Sequence, residues 1–79
     1  MKYTFEQFRQ KFSDAVEDEL ILDLQPNTSF KNLESWDSFS GMSIISMIDE
    51  EFEITIRAEE MIKINTLEEL YDLLLNKMQ

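Results

Sequence analysis

A carboxylate and a hydroxyl side by side, Asp37 and Ser38 in the run Glu34-Ser35-Trp36-Asp37-Ser38-Phe39, are the residues of this chain best placed to do chemistry. They stand where a polar segment gives way to a helical pattern of apolar and acidic residues. A helix start offers free backbone amides and a favourable dipole, and both suit a phosphate joined to the Ser38 hydroxyl. No His or Lys lies close to Ser38 in sequence to activate it, so any modification there must be carried out by another enzyme. On local chemistry alone the pair also reads as a helix cap that satisfies the open amides of the first turn. Attachment point and cap both remain open at this stage.

The remaining inventory narrows the chemistry. The 79 residues include no Cys and no His, which removes disulfides, thiolate nucleophiles, sulfur ligands for zinc and the commonest neutral-pH base. A hydrolase built on Asp37 and Ser38 therefore lacks its base. The acidic runs Asp49-Glu50-Glu51 and Glu59-Glu60 lack the alternating oxygen ligands and central Gly of a calcium loop. Paired carboxylates for glycoside chemistry would need a cleft that four short helices can hardly enclose. Seventeen Asp plus Glu against seven Lys plus Arg give a formal net charge of −10, which repels nucleic acid and anionic lipid and steers basic protein surfaces toward the chain. No stretch is long and apolar enough for a signal peptide or a bilayer span, so a cytoplasmic protein without membrane insertion is expected.

The elements that position Ser38 follow from periodicity. At 43% apolar, the chain can build one small core, so a single domain over residues 1–79 is expected. Thr4 followed by Gln7 forms a capping box, and Phe5, Phe8, Phe12, Ala15 and Val16 recur at helical spacing, which predicts a first helix to about Glu19 with Leu20 to Leu24 as a possible extension. Pro26-Asn27-Thr28-Ser29 is turn chemistry, so a long irregular connection runs to about Asp37, held to the core by Phe30 and Leu33. A second helix from Phe39 to Phe52 buries Ile44, Ile48 and Phe52. Ile54 to Ile64 reads as an extended link and a short third helix, although the alternation from Phe52 to Ile56 also allows a strand, and such a strand paired with another chain would make a dimerising module. Thr66 with Glu69 caps a last helix that buries Leu67, Leu70, Leu73 and Leu74. The expected fold class is all-α: a small four-helix bundle with three longer helices and a short third.

The second helix has more apolar residues than one stripe needs. With Ile44 and Ile48 inward, Phe39 and Met42 turn outward beside Ser38, with Asp49, Glu50 and Glu53 further along. This is either a docking face or packing beneath the long connection. Trp36 reads as a staple for that connection or as a binding anchor. Gly41, the sole glycine, sacrifices roughly 1 kcal/mol of helix propensity and marks close approach of another helix or of a ligand arm.

These features together resemble the acyl carrier protein family, or phosphopantetheine-binding domains more broadly. Asp37-Ser38-Phe39 matches the family's Asp-Ser-Leu, and Glu50-Glu51-Phe52, Ile54-Thr55-Ile56 and Ile64-Asn65-Thr66 match Glu-Glu-Phe, Ile-x-Ile and Ile-x-Thr, in order and without a gap. Phe30-Lys31-Asn32-Leu33 matches the Phe-x-x-Leu before the modified serine. The resemblance spans about Phe5 to Leu75. It implies that Ser38 is the residue to which a phosphopantetheinyl transferase joins 4'-phosphopantetheine from coenzyme A, and that Asp37 helps to present it. It also implies that the arm's thiol carries acyl or aminoacyl groups between ligase or synthase enzymes with basic docking surfaces. The protein would be shuttle rather than enzyme.

Phe39, Met42, Asp49, Glu50 and Glu53 would meet those partners, and a cleft lined by Ile44, Ile48, Ile62 and Leu67 would shelter apolar cargo. Phe39 replaces the usual Leu, Ser40 and Ser43 replace acidic residues, and Trp36 replaces a small one. A free-standing, monomeric carrier for a polyketide-like, peptide-like or surface-polysaccharide pathway is therefore expected at least as much as one for fatty-acid synthesis. The alternative is an unmodified acidic helical adaptor of the same fold.

Overall fold

The computed structural model describes residues 3–78, and among them the chain forms four α-helices and two 3-10 turns, with no β-strand. Helix α1 (Phe5–Val16) starts at the expected capping box: Gln7 N–H donates to Thr4 Oγ1 at 3.2 Å, and Thr4 N–H donates to Gln7 Oε1 at 2.8 Å. It ends before Glu19. Glu17 takes the left-handed conformation at φ 54°, and the Asp18 N–H turns back to the Ser13 carbonyl at 3.1 Å. Leu20 to Leu24 do not extend the helix, because Asp18 caps a separate 3-10 turn, Glu19–Asp23, by accepting the Leu20 N–H at 2.9 Å.

The connection to α2 (Ser38–Phe52) is irregular but anchored. Its 3-10 turn, Phe30–Asn32, buries Phe30 completely, and Leu33 packs against the core as expected. Backbone bonds fix it to the start of α4 (Leu67–Lys77): Phe30 N–H to Asn65 O and Glu68 N–H to Pro26 O, both at 3.0 Å, beside an isolated bridge between Ser29 and Thr66. A chain with these bonds meets the hydrogen-bonding demand of a segment that has no ladder of its own.

Helix α2 begins one residue before the expected Phe39 and buries Ile44, Ile48 and Phe52. Past its end the alternation that allowed a strand is real, with Ile54 and Ile56 buried and Glu53, Thr55 and Arg57 exposed. No strand forms there, and the link is an extended tether whose apolar side chains reach the core. Short α3 (Ala58–Lys63) follows, and Glu60 joins it to α4 through an ion pair with Lys77 at 3.1 Å. No described helix is long and apolar enough to cross a membrane.

Helix α4 starts at the second expected capping box, Thr66 with Glu69. The Glu69 carboxylate accepts the Asn65 N–H at 2.9 Å and the Thr66 N–H at 3.0 Å, and the Asn65 amide is the main reason its pKa lies below the ordinary value. Thr66→Ala removes the acceptor for the Glu69 N–H. It is expected to lower stability by about 1 kcal/mol, read from the urea midpoint at constant slope.

Candidate functional site

At the head of α2 the cap and the free hydroxyl belong to different residues. Asp37 is the cap: its Oδ1 accepts the Phe39 N–H at 2.9 Å and the Ser40 N–H at 3.0 Å, while Asp37 N–H donates to Ser40 Oγ at 3.1 Å. Ser38 is the first residue of the helix and is exposed, and its hydroxyl has no hydrogen-bond partner among the described residues. The structure thus leaves Ser38 Oγ open to solvent at the positive end of a fifteen-residue helix.

Two grooves flank the outer face of α2. Toward α3 runs an apolar trough of about 190 Å³ beside Ser38, walled mainly by Trp36, Gly41, Met42, Ile45, Met61 and Ile62. Toward α1 lies an open groove of about 520 Å³ with Phe39, Met42 and Met47 between Asp14 and Glu50. Met42 lines both grooves and Phe39 the one toward α1; they are 66% and 74% exposed, so they do not pack under the connection. Asp49, Glu50 and Glu53 are exposed too.

The cleft expected between Ile44, Ile48, Ile62 and Leu67 does not exist. Ile44, Ile48 and Leu67 are fully buried core residues, whereas Ile62 is 74% exposed on the trough. The inward stripe of α2 is used up in packing, and the open space lies one stripe over, along Gly41 and Ile45. Gly41 faces this space: a Cβ there would meet Trp36 Cζ2 at 3.9 Å and Met61 Cγ at 4.0 Å, which is ordinary contact. The glycine therefore leaves room in the trough and is not needed for helix packing.

Trp36 acts as the staple. Its ring lies 4.8 Å from that of Phe30 and stacks on Phe12 at 6.3 Å, while one edge forms part of the trough wall. Ser40, one of the two serines that replace acidic residues, is buried at 8% exposure and occupied with the cap, leaving Ser43 as the exposed hydroxyl of that pair. Lys31 makes contacts that no local pattern marks. Its Nζ donates to the Ile62 carbonyl at 2.8 Å and the Met61 carbonyl at 3.3 Å, tying the connection to the end of α3 across thirty positions.

Comparison with known proteins agrees with this geometry. The family model for the phosphopantetheine attachment site matches residues 6–74. The solution NMR structure of holo acyl carrier protein from Geobacter metallireducens superposes with a TM-score of 0.78 at 27% identity, covering 95% of this chain and 85% of that one. Curated protein sequences give no match.

The chain belongs to the phosphopantetheine-binding family. It is a carrier protein of the acyl carrier type, non-catalytic, and its prosthetic group is phosphopantetheine, attached by a phosphopantetheinyl transferase. The residues present fit that group: a free hydroxyl at a helix start, next to an apolar trough kept open by Gly41. When bound, the group supplies the terminal thiol that this Cys-free chain lacks.

Proposed function

We propose that Ser38 is the attachment residue and that the protein is a free-standing, monomeric carrier of acyl or aminoacyl thioesters, serving a dedicated pathway in the cytoplasm. The observation that carries this reading is the division of labour at the head of α2. Asp37 and Ser40 do the capping, and the hydroxyl of Ser38 between them is left unengaged beside the trough.

Loading is a substitution at phosphorus. Ser38 Oγ bonds to the phosphorus that bears the pantetheine portion of coenzyme A, the pyrophosphate bridge breaks, and adenosine 3',5'-bisphosphate leaves. The serine proton goes to a base on the transferase, since this chain holds no His and no Lys adjacent in sequence to Ser38. Asp37 contributes by fixing the helix start. The test is the intact mass of the protein before and after incubation with coenzyme A and a promiscuous transferase, with peptide mapping of the modified residue.

Phe39 and Met42 form the apolar contact for partner enzymes in this reading, and Asp49, Glu50 and Glu53 steer basic surfaces to it. Phe39→Ala is expected to raise the transferase KM for the carrier by about tenfold, in line with the loss of an exposed aromatic anchor. Glu50→Lys is expected to slow association chiefly at low salt. Steady-state rates at two ionic strengths check both, and unchanged KM values in both variants would move the docking face elsewhere. Ser43 and Trp36, in place of the acidic and small residues of fatty-acid carriers, support a specialised pathway.

A further inference from the structure

We infer that Asp18, Ser35 and Ser40 form a polar latch that holds Ser38 in the position offered to the transferase; this rests on Ser38 being the attachment residue. Ser38 has no side-chain bond of its own among the described residues, so the backbone on either side sets its place. On one side is α2. On the other is the short segment from Leu33 to Asp37, whose internal backbone bond, Trp36 N–H to Leu33 O at 3.0 Å, does not tie it to the rest of the fold.

Leu33 packs on the core and its N–H reaches the Phe30 carbonyl at 3.3 Å, and side-chain contacts of Trp36 and Ser35 hold the residues that follow. Trp36 rests on Phe12 and Phe30, as described above. On the polar side, Ser35 Oγ donates to Asp18 Oδ2. Asp18 is a firm anchor: its Oδ1 accepts the Leu20 N–H, and its backbone carbonyl accepts the hydroxyl of Ser13, 3% exposed on α1, at 2.9 Å. The Ser35 bond, followed by the Leu20 amide, keeps the Asp18 pKa below its ordinary value, so the acceptor is a carboxylate at neutral pH.

The chain of bonds continues into α2. Ser40 Oγ lies 3.4 Å from the Ser35 carbonyl and 3.2 Å from Asp37 Oδ1, and its single proton serves one of them at a time, while the same oxygen accepts from Asp37 N–H. A buried hydroxyl thus joins the two residues that flank Trp36. From Ser13 on α1 to Asp37 at the cap, hydrogen bonds cross the segment immediately before Ser38.

Transfer to Ser38 needs its hydroxyl in line with the phosphorus, so a loosened segment leaves fewer molecules competent to react. The apparent affinity for the transferase then falls by the lost fraction, while turnover of the docked complex is unchanged. Latch variants should therefore change KM rather than kcat.

The experiment uses the full chain, coenzyme A and a promiscuous transferase, with initial rates read by intact mass. Ser35→Ala and Asp18→Asn are each expected to raise KM about three- to tenfold with kcat unchanged. Ser35→Thr should restore the parent value, and the double variant should be no worse than the worse single, because one bond is shared. Ser40→Ala is set aside because it also breaks the cap. Melting curves that match the parent show that the two single variants fold.

Parent KM values in both single variants, or a fall in kcat at unchanged KM, would overturn the latch while leaving Ser38 as the attachment residue. A parent that takes up no arm, or takes it up elsewhere, would remove the attachment reading and the latch together.

Discussion

Ser38→Ala is expected to gain no mass on incubation with coenzyme A and a phosphopantetheinyl transferase, under conditions where the parent gains one phosphopantetheinyl group per chain. Uptake should fall below detection, because no other side chain among the described residues combines an exposed hydroxyl, a helix start and the trough. Ser40, two residues on, is buried in the cap, and Ser43 sits a turn further along. The variant should fold as the parent does, since Asp37 does the capping and Ala is a good helix former; a stability change within about 0.5 kcal/mol is expected. A folded Ser38→Ala protein that still takes up the arm would refute the assignment. One that is never loaded but keeps the parent's cellular activity would point to an adaptor.

The second large effect lies in the core. Phe30→Ala is expected to destabilise the protein by about 3–5 kcal/mol, a large share of the stability of so small a domain. Phe30 is fully buried, with its ring 5.0 Å from Phe12 and 4.8 Å from Trp36, yet it belongs to the connection and not to a long helix. Its removal opens a cavity and frees the staple that holds the approach to Ser38. Chemical denaturation checks the magnitude, and a loss below about 1 kcal/mol would mean that the segment collapses into the space. Phosphopantetheine uptake measured below the denaturation midpoint should fall as well.

How much of this was legible in the chain depended on distance along it. Both capping boxes, the buried stripes of α2 and α4 and the outward turn of Phe39 and Met42 rest on residues three or four apart, where periodicity is a direct geometric statement. Helix ends were less readable. Nothing about Glu17 marks it for the left-handed conformation that stops α1, since glycine and asparagine are the usual signals there.

The site divided the same way. Ser38 stood out because Asp-Ser at a helix start is local information. The trough did not, because it depends on which stripe of α2 the other elements cover, and packing used Ile44 and Ile48 while leaving Gly41 and Ile45 beside open space. The role of Ser40 was not legible for a related reason: its hydroxyl is engaged with Asp37, a choice a wheel diagram does not make. The Asp18 to Ser35 bond links residues seventeen apart, and the Lys31 bonds span thirty and thirty-one, beyond any periodic signal.

The clasp made by Lys31 has a consequence for anyone reshaping this carrier. A six-residue helix such as α3 is too short to be stable by itself, so its position is imposed from outside, by Met61 in the core, by Glu60 on Lys77, and by Lys31 on its last carbonyls. One wall of the trough is thus a panel fastened at separate points. Trimming the apolar lining would enlarge the trough where a side chain is cut but leave the backbone of its walls where it is. To move the wall itself, the fastening at Lys31 is the part to alter, although it belongs to neither helix that bounds the space.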